Sequence, residues 1–246
     1  MIDKFSTSES PGRLADSCAA IRAGMWIVIP AYAEESVVGG VVTLLRETYP
    51  RIVVVDDGSP DLTGQVARTA GATVLRHAVN LGQGAALQTG IDYARARGAT
   101  SVCTFDADGQ HPIEGIDAMI RALALGNVDI VLGSRFRTDS PVPPLKRALL
   151  SAALLFTRLH ARLAITDTHN GLRLFGPRAL AAISITQPGM AHASEILHAI
   201  GTHKLRWVEV PTRIEYTDYS LAKGQSIFNA VKILLDLLFS ALSRRT

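Results

Sequence analysis

Ile52-Val53-Val54-Val55-Asp56-Asp57-Gly58-Ser59 sets the architecture of this chain. Four consecutive β-branched residues without polar alternation suit a strand buried on both faces, and the acidic turn that follows ends it. The same pattern recurs upstream in Trp26-Ile27-Val28-Ile29, which runs into Pro30-Ala31-Tyr32, and downstream in Ser101-Val102-Cys103-Thr104-Phe105, which runs into Asp106-Ala107-Asp108-Gly109. Thr73–Leu75 and Asp129–Leu132 complete five expected strands, the last leading into Gly133-Ser134-Arg135. Helical patterns fall between them near Ser36–Thr48, Leu62–Ala70, Gly84–Arg97 and Glu114–Leu125. Strands alternating with helices make a parallel sheet covered on both sides, so the fold class is α/β.

The chain has 246 residues, 48% hydrophobic and 19% charged, and a mean hydropathy of +0.21. This much apolar surface excludes a disordered or collagen-like chain. No window reaches 18 consecutive apolar residues, so no conventional membrane-spanning helix is expected. A net charge of +3, with no basic run interleaved with aromatics, argues against nucleic acid as a partner. Cys18 and Cys103 match no metal-binding spacing and read as reduced thiols, which points to a cytoplasmic protein. Residues 1–24 lack an apolar signal-like stretch and are expected to be a loose extension.

In an open α/β sheet, ligands bind outside the carboxyl ends of the strands, and the acidic loops gather at that edge. Asp106 and Asp108 are two residues apart, so extended backbone points both to one face. Paired carboxylates there suit Mg²⁺ or Mn²⁺; the plainer reading is a turn, where Asp and Gly are favoured. Asp56-Asp57 at a second strand end shifts the balance toward a site, because carboxylates can accept hydrogen bonds from ribose hydroxyls or a base N–H. Asn80-Leu81-Gly82-Gln83-Gly84 opens a helix but lacks the third Gly of a dinucleotide fingerprint.

Taken in order, Val28-Ile29-Pro30-Ala31-Tyr32-Ala33-Glu34-Glu35, Val55-Asp56-Asp57-Gly58-Ser59, Asn80-Leu81-Gly82-Gln83-Gly84, Asp106-Ala107-Asp108-Gly109-Gln110-His111-Pro112 and Gly133-Ser134-Arg135 resemble glycosyltransferase family 2, of the GT-A fold. The likeness is strongest to its dolichol-phosphate mannose synthase-like branch, and it continues through Asp167–Phe175 and Glu195-Ile196-Leu197. It implies an inverting transfer of sugar from a UDP- or GDP-sugar to a polyprenyl phosphate, or alternatively to a hydroxyl of a growing glycan. A nucleotide-sugar-binding protein without turnover is the remaining alternative.

By this resemblance Pro30, Tyr32, Glu34, Asp56, Asp57, Gly58, Gly84, Asp106 and Gln110 line the donor pocket, and Asp106 and Asp108 hold Mg²⁺ or Mn²⁺. Arg135 and Arg173, read as loop residues, would clamp phosphates. Glu195 would act as general base toward a hydroxyl acceptor, or only orient basic side chains if the acceptor is a phosphate, which is already anionic. Two departures stand out: Ala33 occupies a position where the family usually has Asn, and Lys223 lies where the branch usually carries an Arg.

The halves would divide as 25–135 for the nucleotide-sugar and 136–225 for the acceptor, with a helix over Leu145–Leu163. In 226–246, an apolar helix over Ile227–Leu242 rises about 24 Å, short of a ~30 Å hydrocarbon core. It suits a core or oligomer contact, or an interfacial helix placing the enzyme on the inner face of the cytoplasmic membrane, where Arg244 and Arg245 would meet anionic lipid.

Overall fold

The computed structural model describes residues 11–135, 163, 165–168 and 170–213. The helices expected at Leu145–Leu163 (Leu163 apart) and Ile227–Leu242, together with Lys223, lie outside them. The strands are β1 (Met25–Ala31), β2 (Ile52–Asp56), β3 (Thr73–Arg76), β4 (Ser101–Thr104), β5 (Ile130–Ser134), β6 (Arg173–Phe175) and β7 (Trp207–Pro211). They form one sheet in the order β3-β2-β1-β4-β6-β5-β7. All neighbours pair in parallel except β6, which runs antiparallel to both β4 and β5. The α/β class holds, with the five expected strands present and their ends shifted by one or two residues.

The helices are α1 (Pro11–Gly24), α2 (Val38–Arg46), α3 (Thr63–Thr69), α4 (Gln83–Ala96), α5 (Glu114–Ala124), α6 (Pro177–Ala182) and α7 (His192–Thr202). Val38, Val41, Val42 and Leu45 of α2 repeat at helical spacing and are buried, as are Ile116, Met119, Ile120 and Leu123 of α5. Each set forms one apolar stripe, and together they cover one sheet face with Ile27, Ile29, Val54 and Leu174. On the other face Leu87 and Ile91 of α4 and Ile196, Leu197 and Ile200 of α7 pack on Val28, Val53, Val55 and Ile130. Gly90 lets α4 approach closely, because a Cβ there would lie 2.3 Å from Val28 Cγ1.

Two expectations are corrected. Residues 11–24 are not a loose extension but helix α1, docked by Arg22, which donates to Asp117 Oδ1 at 2.7 Å, and by Cys18 and Ile21 against the core. Its apolar periodicity is faint, so only the partner surface reveals it. The segment of Arg173, read as a loop, instead contains β6, and α6 starts two residues after it. Three residues are too few to show a strand period, and β6 is defined by the slot between β4 and β5.

Candidate active site at the carboxyl edge of the sheet

The strand ends place the acidic loops side by side. β1 and β4 are neighbours, with Val28 opposite Thr104, so the loop after β1 faces Asp106-Ala107-Asp108. Ala107 is buried while Asp106 and Asp108 are partly exposed, and Ala107 and Asp108 lie in a turn beyond the end of β4 rather than on extended strand. Asp108 Oδ1 accepts the Gln110 N–H at 3.1 Å, which folds the loop back on itself. Asp106 lies against backbone, since a Cβ on Gly171 would come within 2.1 Å of its Oδ2.

The two carboxyls are electrostatically unlike. Burial alone would raise Asp106, but a hydrogen bond and charge from His111, then the charges of Arg173 and His192, hold it below the ordinary range. His111 Nε2 lies 3.2 Å from Asp106 Oδ2, and Gln83 Nε2 donates to Oδ1 at 3.3 Å. Asp108 is pushed up to about 6, first by burial and then by the charge of Asp106, with Glu34 adding to it. Three negative groups thus crowd one recess, and a divalent cation would relieve that repulsion. Among the described residues no three His, Cys, Asp or Glu side chains form a ready metal cluster. Asp106 and Asp108 therefore fit a hard cation whose remaining ligands are oxygens from outside the protein.

Asp56 and Asp57 are turned inward, 0% and 3% exposed. Asp56 accepts from the Ser59 N–H at 2.9 Å and Arg76 Nη1 at 2.8 Å. Asp57 accepts from the Leu81 and Gly82 N–H groups at 2.9 and 2.7 Å and lies 2.7 Å from His77 Nδ1. Both carboxylates thus hold together the loops that follow β2 and β3. Gly58 has φ +70°, and a Cβ there would strike the Val79 carbonyl carbon at 2.6 Å. Pro30 is buried in β1, whereas Tyr32 beyond it is 46% exposed.

Gly84 serves a different contact from the one expected. The Gly84 and Ala85 N–H groups at the start of α4 donate to the Pro188 carbonyl at 2.7 and 3.3 Å, and a Cβ on Gly84 would lie 2.0 Å from the Gln187 carbonyl. A helix N-terminus of the kind that often holds phosphate is here capped by the chain itself.

Arg135 follows β5, and its Nε and Nη2 donate to the two carboxylate oxygens of Asp167 at 2.8 and 2.9 Å. Asp167 is fixed in turn by Glu209 of β7, which accepts the Thr166 and Asp167 N–H groups at 2.6 and 3.2 Å. Arg173 is not on a loop: it stands in β6, 3% exposed, and donates to the Thr168 carbonyl at 3.2 Å. Burial lowers its guanidinium to about 10 against the opposing charges of Asp106 and Asp167. Its Nη1 is buried without a partner among the described residues, so Arg173 is a cation set behind Asp106. Glu195 of α7 accepts hydrogen bonds from the Thr186 and Gln187 N–H groups at 3.0 and 2.9 Å and from the Thr186 hydroxyl at 2.5 Å.

Sequence reasoning did not assign Gln83, His77, Asp167 or Glu209. Asp167 sits in a motif already singled out and could have been paired with Arg135 as the opposite charge; the others carry no sequence signal of their partners.

A parallel sheet with acidic and cationic loops converging at one carboxyl edge, and an antiparallel strand inserted beside the acidic pair, defines a nucleotide-sugar transferase of the GT-A class. Residues 26–181 match the family model described as glycosyl transferase family 2, and the chain belongs to that family. A UDP-N-acetylglucosamine–dolichyl-phosphate N-acetylglucosaminyltransferase of Methanococcus voltae is 32% identical, over 87% of this chain and 94% of that one. An undecaprenyl-phosphate mannosyltransferase of Micrococcus luteus is 30% identical, over 75% of this chain and 80% of that one. The fold also matches the crystal structure of glucosyl-3-phosphoglycerate synthase from Mycobacterium tuberculosis in complex with Mn²⁺ and UDP-glucose, with TM-score 0.63 and 20% identity, over 94% of this chain and 84% of that one.

Proposed function

We propose that this glycosyltransferase moves a sugar from a nucleoside-diphosphate sugar to a polyprenyl phosphate, with inversion at the anomeric carbon. The Asp106–Asp108 pair at the end of β4, backed by buried Arg173 and facing a cation-bearing edge, is the observation that carries this reading. The relatives named for dolichyl and undecaprenyl phosphate support the acceptor class.

Asp106 and Asp108 would hold Mg²⁺ or Mn²⁺, and a bound cation stabilises the negative charge that develops on the departing nucleoside diphosphate. An acceptor phosphate oxygen attacks the anomeric carbon as the bond to that diphosphate breaks. The attacking oxygen is already anionic near neutral pH, so the residues have to position it more than deprotonate it. Arg135, oriented by Asp167, supplies a fixed cation at the same edge for a phosphate group. His111, and after it the buried Arg173, hold Asp106 ionised. Tyr32 and Glu34, beyond β1, line the donor side.

Among the described residues no helix is long and apolar enough to cross a membrane. The lipid acceptor would be met at the membrane surface, with the apolar sequence 226–246 as the contact and the enzyme peripheral on the cytoplasmic face. The test incubates the protein with radiolabelled UDP- and GDP-sugars, Mn²⁺ and a short polyprenyl phosphate, then partitions the product between butanol and water. Label in butanol that disappears with Asp108→Ala or with chelator is expected. Label confined to water, with a glycan hydroxyl acceptor consumed instead, would overturn the lipid acceptor. No nucleotide release with any pairing would overturn turnover itself.

A further inference from the structure

Glu195 lies on α7, yet its carboxylate does not end in an open recess. Oε2 accepts both the Thr186 and Gln187 N–H groups, and Oε1 accepts the Thr186 hydroxyl. The next residue, Pro188, presents its carbonyl to the Gly84 and Ala85 N–H groups at the start of α4. The two loops touch so closely that Cβ atoms on Gly82 and Gly84 would lie 2.5 Å from the Pro188 carbonyl oxygen and 2.0 Å from that of Gln187. Between those glycines stands Gln83, whose side chain donates to Asp106 Oδ1. On α7 itself, one turn before Glu195, His192 is buried, donates from Nδ1 to the Gly189 carbonyl at 2.8 Å, and lies close enough to Asp106 to act on it electrostatically.

We infer that Glu195 is a positioning residue, not a general base: it pins the loop 186–189 over the N-terminus of α4 and thereby fixes Gln83 against Asp106. Three donors on one carboxylate, two of them backbone N–H groups of adjacent residues, are the geometry of a loop clamp. A general base needs a lone pair within hydrogen-bond reach of the hydroxyl it deprotonates, and a phosphate acceptor presents no such proton. The clamp also explains the glycines that flank Gln83, Gly82 just before α4 and Gly84 within its first turn: the Gly84 and Ala85 N–H groups serve the chain's own carbonyl at a distance that side chains would block. The inference rests on the proposed transfer reaction for its kinetic consequences, but the clamp itself can be read without turnover.

The experiment compares Glu195→Gln with Glu195→Ala. Gln keeps an oxygen for the two N–H groups, and its amide can donate to the Thr186 hydroxyl in place of accepting from it. Glu195→Gln is therefore expected to keep the hydrogen-exchange protection of the Gly84 and Ala85 amides, with kcat within tenfold of wild type and an unmoved pH–rate profile. Glu195→Ala should lose at least tenfold of that protection and raise the KM for the nucleotide-sugar more than it lowers kcat. A kcat loss above tenfold in Glu195→Gln with the acidic limb of the profile removed would make Glu195 the base, since general-base groups contribute roughly 10²–10⁴-fold. Unchanged exchange at Gly84 and Ala85 in Glu195→Ala would remove the clamp. Should Glu195→Ala fail to fold, Thr186→Val, which deletes one donor, carries the same exchange readout. If the wild-type protein shows no turnover, the transferase reading fails while the exchange comparison still decides the clamp.

Discussion

The Arg135 guanidinium meets the Asp167 carboxylate side-on, two N–H donors to two oxygens at 2.8 and 2.9 Å, with the Arg135 backbone N–H adding a third contact at 3.1 Å. The Asp167 side chain is 1% exposed and that of Arg135 12%. The pair is therefore shielded from water, and removing one partner leaves an uncompensated charge. Asp167→Ala is expected to cost about 3 kcal/mol of stability and to raise the KM for the acceptor phosphate as Arg135 loses its orientation. Urea unfolding and initial-rate kinetics check the two effects. An unchanged acceptor KM would detach Arg135 from the acceptor.

Ala33 adopts φ +54°, in the left-handed region. An L-residue with a plain Cβ is strained there, whereas Asn tolerates it through local hydrogen bonding. The departure noted in the sequence thus has a backbone cost as well as a missing side-chain donor. Ala33→Asn should stabilise the protein by about 0.5–1 kcal/mol, seen as a higher melting temperature. A lower melting temperature would show that the new side chain clashes with the Ser59–Thr63 loop that holds this turn.

Gly84→Ala inserts a methyl 2.0 Å from the Gln187 carbonyl oxygen, a backbone atom that cannot swing aside. The loop 186–189 must move, at a cost of about 1–3 kcal/mol as for other overpacked sites. Gly98→Ala serves as the comparison, because its Cβ would meet nothing within 4 Å although its φ is +76°. The expected pattern is stability loss in both, but loss of Gly84–Ala85 amide protection only in Gly84→Ala.

Asp129 ties β5 to β7 and α6 by accepting from Arg206 and Arg178. Burial would raise its carboxyl, but hydrogen bonds and charge from Arg206, then the charge of Arg178, outweigh this and hold it below the usual 3.8. A lowered folded-state value stabilises the protein above the ordinary carboxylate range, and the contribution disappears as pH falls through the lowered value. The stability difference between wild type and Asp129→Asn should therefore be full near neutral pH and shrink below about pH 4. Chemical unfolding at a series of pH values measures it, and a difference constant down to pH 2.5 would contradict the assignment.

The sequence by itself determined the layer architecture and the site's location. Runs such as Val53-Val54-Val55 suit only strands covered on both faces, and the strands' order along the chain puts Asp57, Asp106 and Arg135 at one edge whatever the details of packing. It also determined the family, because the loop motifs occur in an order that chance composition does not produce. Tertiary structure alone decided what those side chains touch. From sequence Asp57 reads as a ligand-binding carboxylate and Glu195 as a general base or an orienter of basic side chains, yet in the fold each accepts backbone N–H groups, of a loop 24 to 25 residues on for Asp57 and eight to nine back for Glu195. Arg173 became a buried cation because β6 inserts between β4 and β5, and α1 became a docked helix because Asp117 and a patch of core await it. The physical reason is common to all of them. Strand and helix periods are local properties of the chain, whereas the partner of a polar group is fixed by which distant segment the packed core brings within hydrogen-bond reach.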